Sequence, residues 1–140
     1  MYVLSILIIV VSNIMYNICT KSIPQKANQF SSLFVTYITA AILTLIAFKF
    51  SKADKNFFHS FHDLNLSSVV LGFCIVGLEF GYIMAYRAGW NISVGSLVAN
   101  ILLALMLIPV GILFFKEGFE TNKIIGIVFC IIGLIFINKK

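Results

Sequence analysis

"SSVVLGFCIVGLEFGYIMAYRAGW", residues Ser67 to Trp90, decides the class of this chain. From Ser67 to Tyr86 the only charge is Glu79. A run this long and this apolar matches a helix that crosses the hydrocarbon core of a bilayer. A charge at the centre of such a helix costs about 2.5–3.5 kcal/mol on insertion scales. The stretch therefore fixes the solvent and poses a question: what does Glu79 do there?

The rest of the chain agrees with the bilayer. Its 140 residues are 61% hydrophobic and 11% charged, whereas a soluble domain is about half apolar and a quarter charged. Mean hydropathy is +1.06. That composition cannot coat a globule with polar surface, so the chain reads as an integral membrane protein. Backbone groups inside lipid must be satisfied within their own segment, which makes the fold all-α.

Five apolar runs stand out, approximately residues 2–19, 30–50, 67–86, 92–115 and 123–137. Each is taken as a transmembrane helix, the last one short. Pro24 in "TKSIPQKANQ" stops the first. The long segment "SKADKNFFHSFHDLN" has room for an interfacial helix with Phe57, Phe58 and Phe61 in the headgroups. "AGWN" is a tight turn on Gly89, with Trp90 suited to the membrane interface. In "KEGFETN", Gly118 is expected to stop the fourth helix, with Thr121 or Asn122 capping the fifth. Glu117 and Glu120 are read as solvated acids, Glu120 complementing the dipole of the last helix. The opening residues lack a positive leader segment and a small-residue cleavage site, so the first run is expected to be a retained helix.

Ten Lys/Arg against five Asp/Glu give a net charge of +5. The basic residues lie between apolar runs and at the C-terminus, where they set topology and meet headgroups. No basic and aromatic cluster is long enough for a nucleic-acid groove. Cys19, Cys74 and Cys130 lack ligand spacing, and His59, His62 and Asp63 read as solvated loop residues, so no metal is expected. Paired carboxylates, a nucleophile elbow, a His-rich helix and a phosphate loop are all missing. The chain is not expected to be an enzyme or to hold a cofactor.

Charge distribution carries a second signal. With five crossings, one side holds Lys49, Lys52, Lys55, Lys116 and Lys123, and the other holds Lys21, Lys26, Arg87, Lys139 and Lys140. The positive-inside rule acts on the difference between sides, and here the two sides balance. Either a subtler feature orients the chain, or it inserts both ways and forms an antiparallel homodimer. Inverted repeats are a common architecture of secondary transporters.

Polar residues fall on helix faces. Ser5, Ser12, Asn13, Tyr16, Asn17 and Thr20 make one stripe on the first helix. Two asparagines there need partners, either on other helices or in a polar cavity. The second helix carries a looser set, Ser32, Thr36, Thr39 and Thr44. On the third, Gly72, Glu79, Tyr82 and Tyr86 share a stripe, with Gly72 expected to permit close approach. Ser93, Ser96 and Asn100 line one face of the fourth, and Pro109 further along is expected to bend it. The fifth carries a small-residue ridge, Gly126, Cys130 and Gly133, suited to helix packing and dimer contact. The stripes describe a bundle around a hydrated or substrate-filled centre.

The stretch "AYRAGWNISVGSLVANILLALMLIPVGILFFKEGFETNKIIGIVFCIIGLIFINKK" resembles the second half of an EamA-type domain of the drug/metabolite transporter superfamily. The resemblance rests on the glycine-bearing turn, the helix with Pro109, Glu117 in a short turn, Thr121, then Ile124, Ile125, Gly126 and Gly133. It departs where Lys116 precedes Glu117 and where Asn122 or Lys123 takes the usual glutamine position. It implies that residues 1–140 form a single EamA-like transmembrane domain. Most members of the family carry two five-helix repeats of opposite orientation, so one repeat implies a half-length form completed by a partner. That partner would be a second copy, antiparallel where the chain inserts both ways, or a related half-length chain. The implied function is a secondary active transporter in the cell membrane, taking a small-molecule substrate. Within the superfamily, small multidrug exporters use a glutamate in the first helix. This chain has no acid there, so that role does not transfer to Glu79.

Three readings of Glu79 remain. It exchanges a proton with a cationic substrate; or it is a structural acid paired with Arg87, Asn13 or Asn17; or its helix is shifted and the acid sits near the interface. Within one helix, Glu79 and Arg87 are separated by roughly 12 Å of rise, too far to pair. The expected substrate- and proton-binding set is Glu79, Asn13, Asn17, Tyr16, Tyr82, Tyr86 and Asn100. The expected overall function is a proton-coupled exporter of small metabolites or organic cations acting as a dimer, against a non-transporting membrane subunit or scaffold.

Overall fold

The computed structural model describes residues 2–51, 64–116, 118 and 121–138. Five helices follow in order: α1 (Tyr2–Ser22), α2 (Gln29–Phe50), α3 (Leu66–Arg87), α4 (Ile92–Phe115) and α5 (Thr121–Asn138). No strand occurs among the described residues. Four stretches are long and apolar enough to cross a membrane: Val3–Ser22, Gln29–Phe50, Leu66–Arg87 and Ile92–Phe115. The fifth, Ile125–Ile137, is shorter. The expected interfacial helix with Phe57, Phe58 and Phe61, the His59, His62 and Asp63 group, and the acids Glu117 and Glu120 lie outside the described residues.

Local chemistry explains the boundaries. α1 stops just ahead of Ile23–Pro24, where the proline disfavours helical geometry in the residue before it. Asn28 starts α2: its side-chain oxygen accepts from the amides of Phe30 (2.9 Å) and Ser31 (3.3 Å). Asn65 does the same for α3, accepting from the Ser67 amide at 3.1 Å. Such caps satisfy amides that a helix start leaves open. Lys21 and Arg87 occupy the last turns of α1 and α3, where a cation complements the helix dipole. Gly89 makes its turn at φ +97°, a region that favours glycine.

α4 runs through Pro109 to Phe115 as expected, although the proline supplies no amide to the Leu105 carbonyl. Its stop is Lys116, not Gly118. Lys116 takes the left-handed conformation (φ 52°, ψ 35°) and its amide bonds back to the Gly111 carbonyl. A non-glycine residue there costs roughly 1–2 kcal/mol, which the capping bond helps offset. α5 begins at Thr121, one of the two residues proposed to cap it.

The chain forms two compact units, Met1–Ala88 and Gly89–Lys140. The second is the α4–α5 pair. In the first, α3 packs on both α1 and α2. Every buried side chain of the first unit among the described residues lies at one end: Asn17 and Thr20 late in α1, Leu33 early in α2, Ile83 and Tyr86 late in α3. In the most apolar window of any span, at most 11% of residues are buried within the chain. Outward-facing apolar side chains on this scale fit lipid or a partner helix, not water.

Candidate functional site

The site grows from two matching helix faces. On α1, Asn13, Tyr16, Asn17 and Thr20 repeat at i, i+3, i+4 and i+7, and on α3, Glu79, Tyr82, Ile83 and Tyr86 repeat identically. That spacing puts each set on one side of its helix. α2, packed on α3, adds Ser32, Leu33, Thr36 and Tyr37.

At the level of Tyr86 the two faces lock. The Tyr86 hydroxyl donates to Asn17 Oδ1. Asn17 Nδ2 in turn donates to Asn13 Oδ1 and to the Asn13 carbonyl, the latter at 2.7 Å. Tyr86 is 5% exposed and Asn17 7%, so this polar chain is shut away from lipid, as buried polar groups require. Tyr16 meets Tyr82 edge to face, with ring centres 5.6 Å apart, and Tyr82 lies 5.9 Å from Tyr86. These are favourable aromatic spacings.

Outside that layer two cations tie the elements together, Arg87 holding the turn between α1 and α2 and Lys21 joining α1 to α3. Arg87 Nη2 donates to the carbonyls of Ala27 (2.7 Å) and Pro24 (3.2 Å). Lys21 Nζ sits 5.4 Å from the centre of the Tyr86 ring and donates to the Tyr86 carbonyl at 3.4 Å. Arg87 therefore serves the turn, while Asn13 and Asn17 serve each other and Tyr86. The phenyl rings of Phe30 and Phe80 stack at 5.5 Å on the α2–α3 side.

On the other side of the lock is a cavity of about 170 Å³ enclosed by α1, α2 and α3. Tyr16, Thr20, Ser32, Thr36, Glu79 and Ile83 all line it. Thr20 donates its hydroxyl proton to the Tyr16 carbonyl (2.8 Å), and Thr36 to the Ser32 carbonyl (3.0 Å). Both hydroxyls thus keep only acceptor capacity. The Tyr16 hydroxyl is buried without a hydrogen-bond partner among the described residues; Thr20 is near it but is committed to the carbonyl. The Tyr37 hydroxyl lies beside the Glu79 carboxylate, and Glu79 also acts electrostatically on Tyr16. Even so, Tyr37 makes no hydrogen bond of ordinary geometry. No basic side chain among the described residues acts on Glu79.

A second cavity, about 400 Å³, lies between α2 and α3 and is lined by Tyr37, Val69, Gly72, Phe73, Ile75 and Val76. Gly72 was expected to permit close packing. Here a Cβ on it would meet nothing within 4 Å; the glycine opens space instead.

Six of the seven expected substrate and proton residues gather in the first unit: Asn13, Tyr16, Asn17, Glu79, Tyr82 and Tyr86. The seventh, Asn100, belongs to the second unit, where it donates to Ser96 Oγ at 3.3 Å. Gly126 and Cys130 are exposed and Gly133 is half-buried, and a Cβ on either glycine would meet nothing within 4 Å. Sequence reasoning missed Tyr37. Its place one turn after the buried Leu33 was the available signal, hidden because a tyrosine in an apolar run also reads as a packing residue. Among the described residues no group of three or more His, Cys, Asp or Glu could hold a metal.

Residues 1–139 match the profile described as the EamA-like transporter family. No curated protein and no solved structure matches the chain.

Proposed function

The chain belongs to the EamA-like transporter family, a membrane transporter of the drug/metabolite kind, and on that premise we propose that it is a proton-coupled exporter of small metabolites or organic cations, acting as a dimer in the cell membrane. The observation that carries the reading is Glu79, which lines a cavity shared by three helices with no cation beside it among the described residues. A membrane acid costs least when neutral, so it favours holding a proton or a cationic ligand. Alternation between the two couples transport to the proton gradient. Tyr16, Tyr82, Asn13, Asn17 and Tyr86 shape the site.

Dimer formation is supported by the long exposed apolar faces and by the ridge of Gly126, Cys130 and Gly133. Glycine ridges let helices approach closely in membranes. The partner is a second copy, antiparallel given the balanced lysines, or a related half-length chain. The same exposed ridge also favours a scaffold reading, in which the chain docks on a larger complex and moves no substrate.

Proteoliposomes with an imposed pH gradient test the coupling. The expected result is substrate-dependent proton flux that Glu79→Gln abolishes. Equal flux for the two proteins across a broad substrate panel would overturn it. Mapping tags at both termini tests the dimer: a single orientation for all copies excludes the antiparallel homodimer.

A further inference from the structure

The α1–α2–α3 cavity has a marked imbalance of hydrogen-bonding character. Thr20 and Thr36 have spent their protons on helix carbonyls and can only accept. Glu79, when ionised, only accepts. Among the described residues the Tyr16 hydroxyl is buried without a hydrogen-bond partner, and the Tyr37 hydroxyl, which lies beside Glu79 from the neighbouring cavity, makes no hydrogen bond of ordinary geometry; each can accept as well as donate. The Asn17 amide on α1 is committed to Asn13. The space is thus rich in acceptors, and no lining side chain carries an N–H group.

Buried polar atoms left without partners cost about 1–3 kcal/mol each. A ligand that satisfies these acceptors must bring N–H groups as well as positive charge. A quaternary ammonium brings charge alone and offers these oxygens no hydrogen bond. The volume also sets a limit: a cavity of about 150 Å³ holds a benzene-sized molecule, so about 170 Å³ suits a small ligand.

We propose that this cavity selects small amines carrying N–H groups, primary before secondary before tertiary, and discriminates against quaternary ammonium ions of equal size and charge. The proposal rests on the reading of the cavity as the transport site, and it names the substrate class of that site. Glu79 supplies the charge, and Tyr16, Tyr37, Thr20 and Thr36 read the N–H groups.

Four isomeric cations make the test: n-butylammonium, diethylammonium, dimethylethylammonium and tetramethylammonium. They share one charge and one molecular formula and carry three, two, one and no N–H donors. Affinities are measured by titration calorimetry on the full chain in lipid nanodiscs, with empty nanodiscs subtracted. The expected order follows the number of N–H groups, with n-butylammonium at least about tenfold tighter than tetramethylammonium. Glu79→Gln weakens all four, and Tyr16→Phe narrows the spread while binding persists. A flat series overturns the proposal. So does the absence of amine binding, or affinities for all four cations unchanged in Glu79→Gln. Should Glu79→Gln fail to fold, Tyr16→Phe and Tyr37→Phe carry the decision, and an unaltered spread in both overturns it. The two readings fail separately. Ranked amine binding without any flux in proteoliposomes sinks the transporter; proton-coupled flux with a flat amine series sinks only the selectivity.

Discussion

The two ends of the three-helix unit are built from one kind of sequence and behave differently. At the end where α1 finishes, α2 begins and α3 finishes, Asn17, Thr20, Leu33, Ile83 and Tyr86 are buried, Arg87 pins the connecting turn and Lys21 bonds the end of α3. At the other end Val3, Leu4 and Ile8 on α1, Leu43 and Ile46 on α2, and Val69 and Phe73 on α3 are all exposed. Hydrophobicity does not distinguish them; if anything, the open end is the more apolar. In a bilayer apolar surface gains little by leaving lipid, so packing and interhelical hydrogen bonds decide where helices meet. The closed end has the hydrogen bonds. The difference teaches that polar residues, not the apolar ones, set the contact geometry of this unit.

Four substitutions probe that contrast by equilibrium unfolding in mixed micelles, from the largest effect to the smallest. Ile83→Ala removes a side chain that is 2% exposed and is expected to destabilise by about 2 kcal/mol or more. A negligible loss would mean that the closed end is not packed. Asn17→Leu leaves the Tyr86 hydroxyl and Asn13 without their partner, at an expected cost of about 1–2 kcal/mol. If Asn17→Leu stabilises the protein, polar contact is not what closes this end. Arg87→Met releases the Pro24 and Ala27 carbonyls. Its expected cost is about 1 kcal/mol, and trypsin should cut faster after Lys26; an unchanged cleavage rate would argue that the turn is held by something else. Leu43→Ala, at the open end, should change stability by less than about 0.5 kcal/mol if only lipid covers it. A cost matching Ile83→Ala would mean that a partner helix packs there, which would turn the contrast into evidence for assembly.

Much of this was legible in the residues. Run lengths gave five helices, and the observed ends fall within a few residues of the expected ones because Pro24, Asn28, Asn65 and Gly89 act locally. Helical periodicity placed Asn13, Tyr16 and Asn17 on one face and Glu79, Tyr82 and Tyr86 on another. Tyr37 escaped because its importance lies in a neighbour on a different helix. The Gly118 stop moved to Lys116 because a capping bond can draw a lysine into a conformation that glycine usually fills. Gly72 was read as a close-contact glycine, yet its surroundings are open.

What the sequence determined by itself is the solvent, the helical class, the family and the faces. The solvent, the class and the faces follow from composition and from spacing along one chain, and the family from motif resemblance and the match over residues 1–139. Only the tertiary structure decided that Tyr86 bonds Asn17, that Arg87 holds the turn, and that Glu79 lines a cavity with Tyr16. The physical reason is that periodicity fixes the direction in which a side chain leaves its own helix. It does not fix the height at which that helix meets its neighbour, and hydrogen bonds and charge contacts depend on that height.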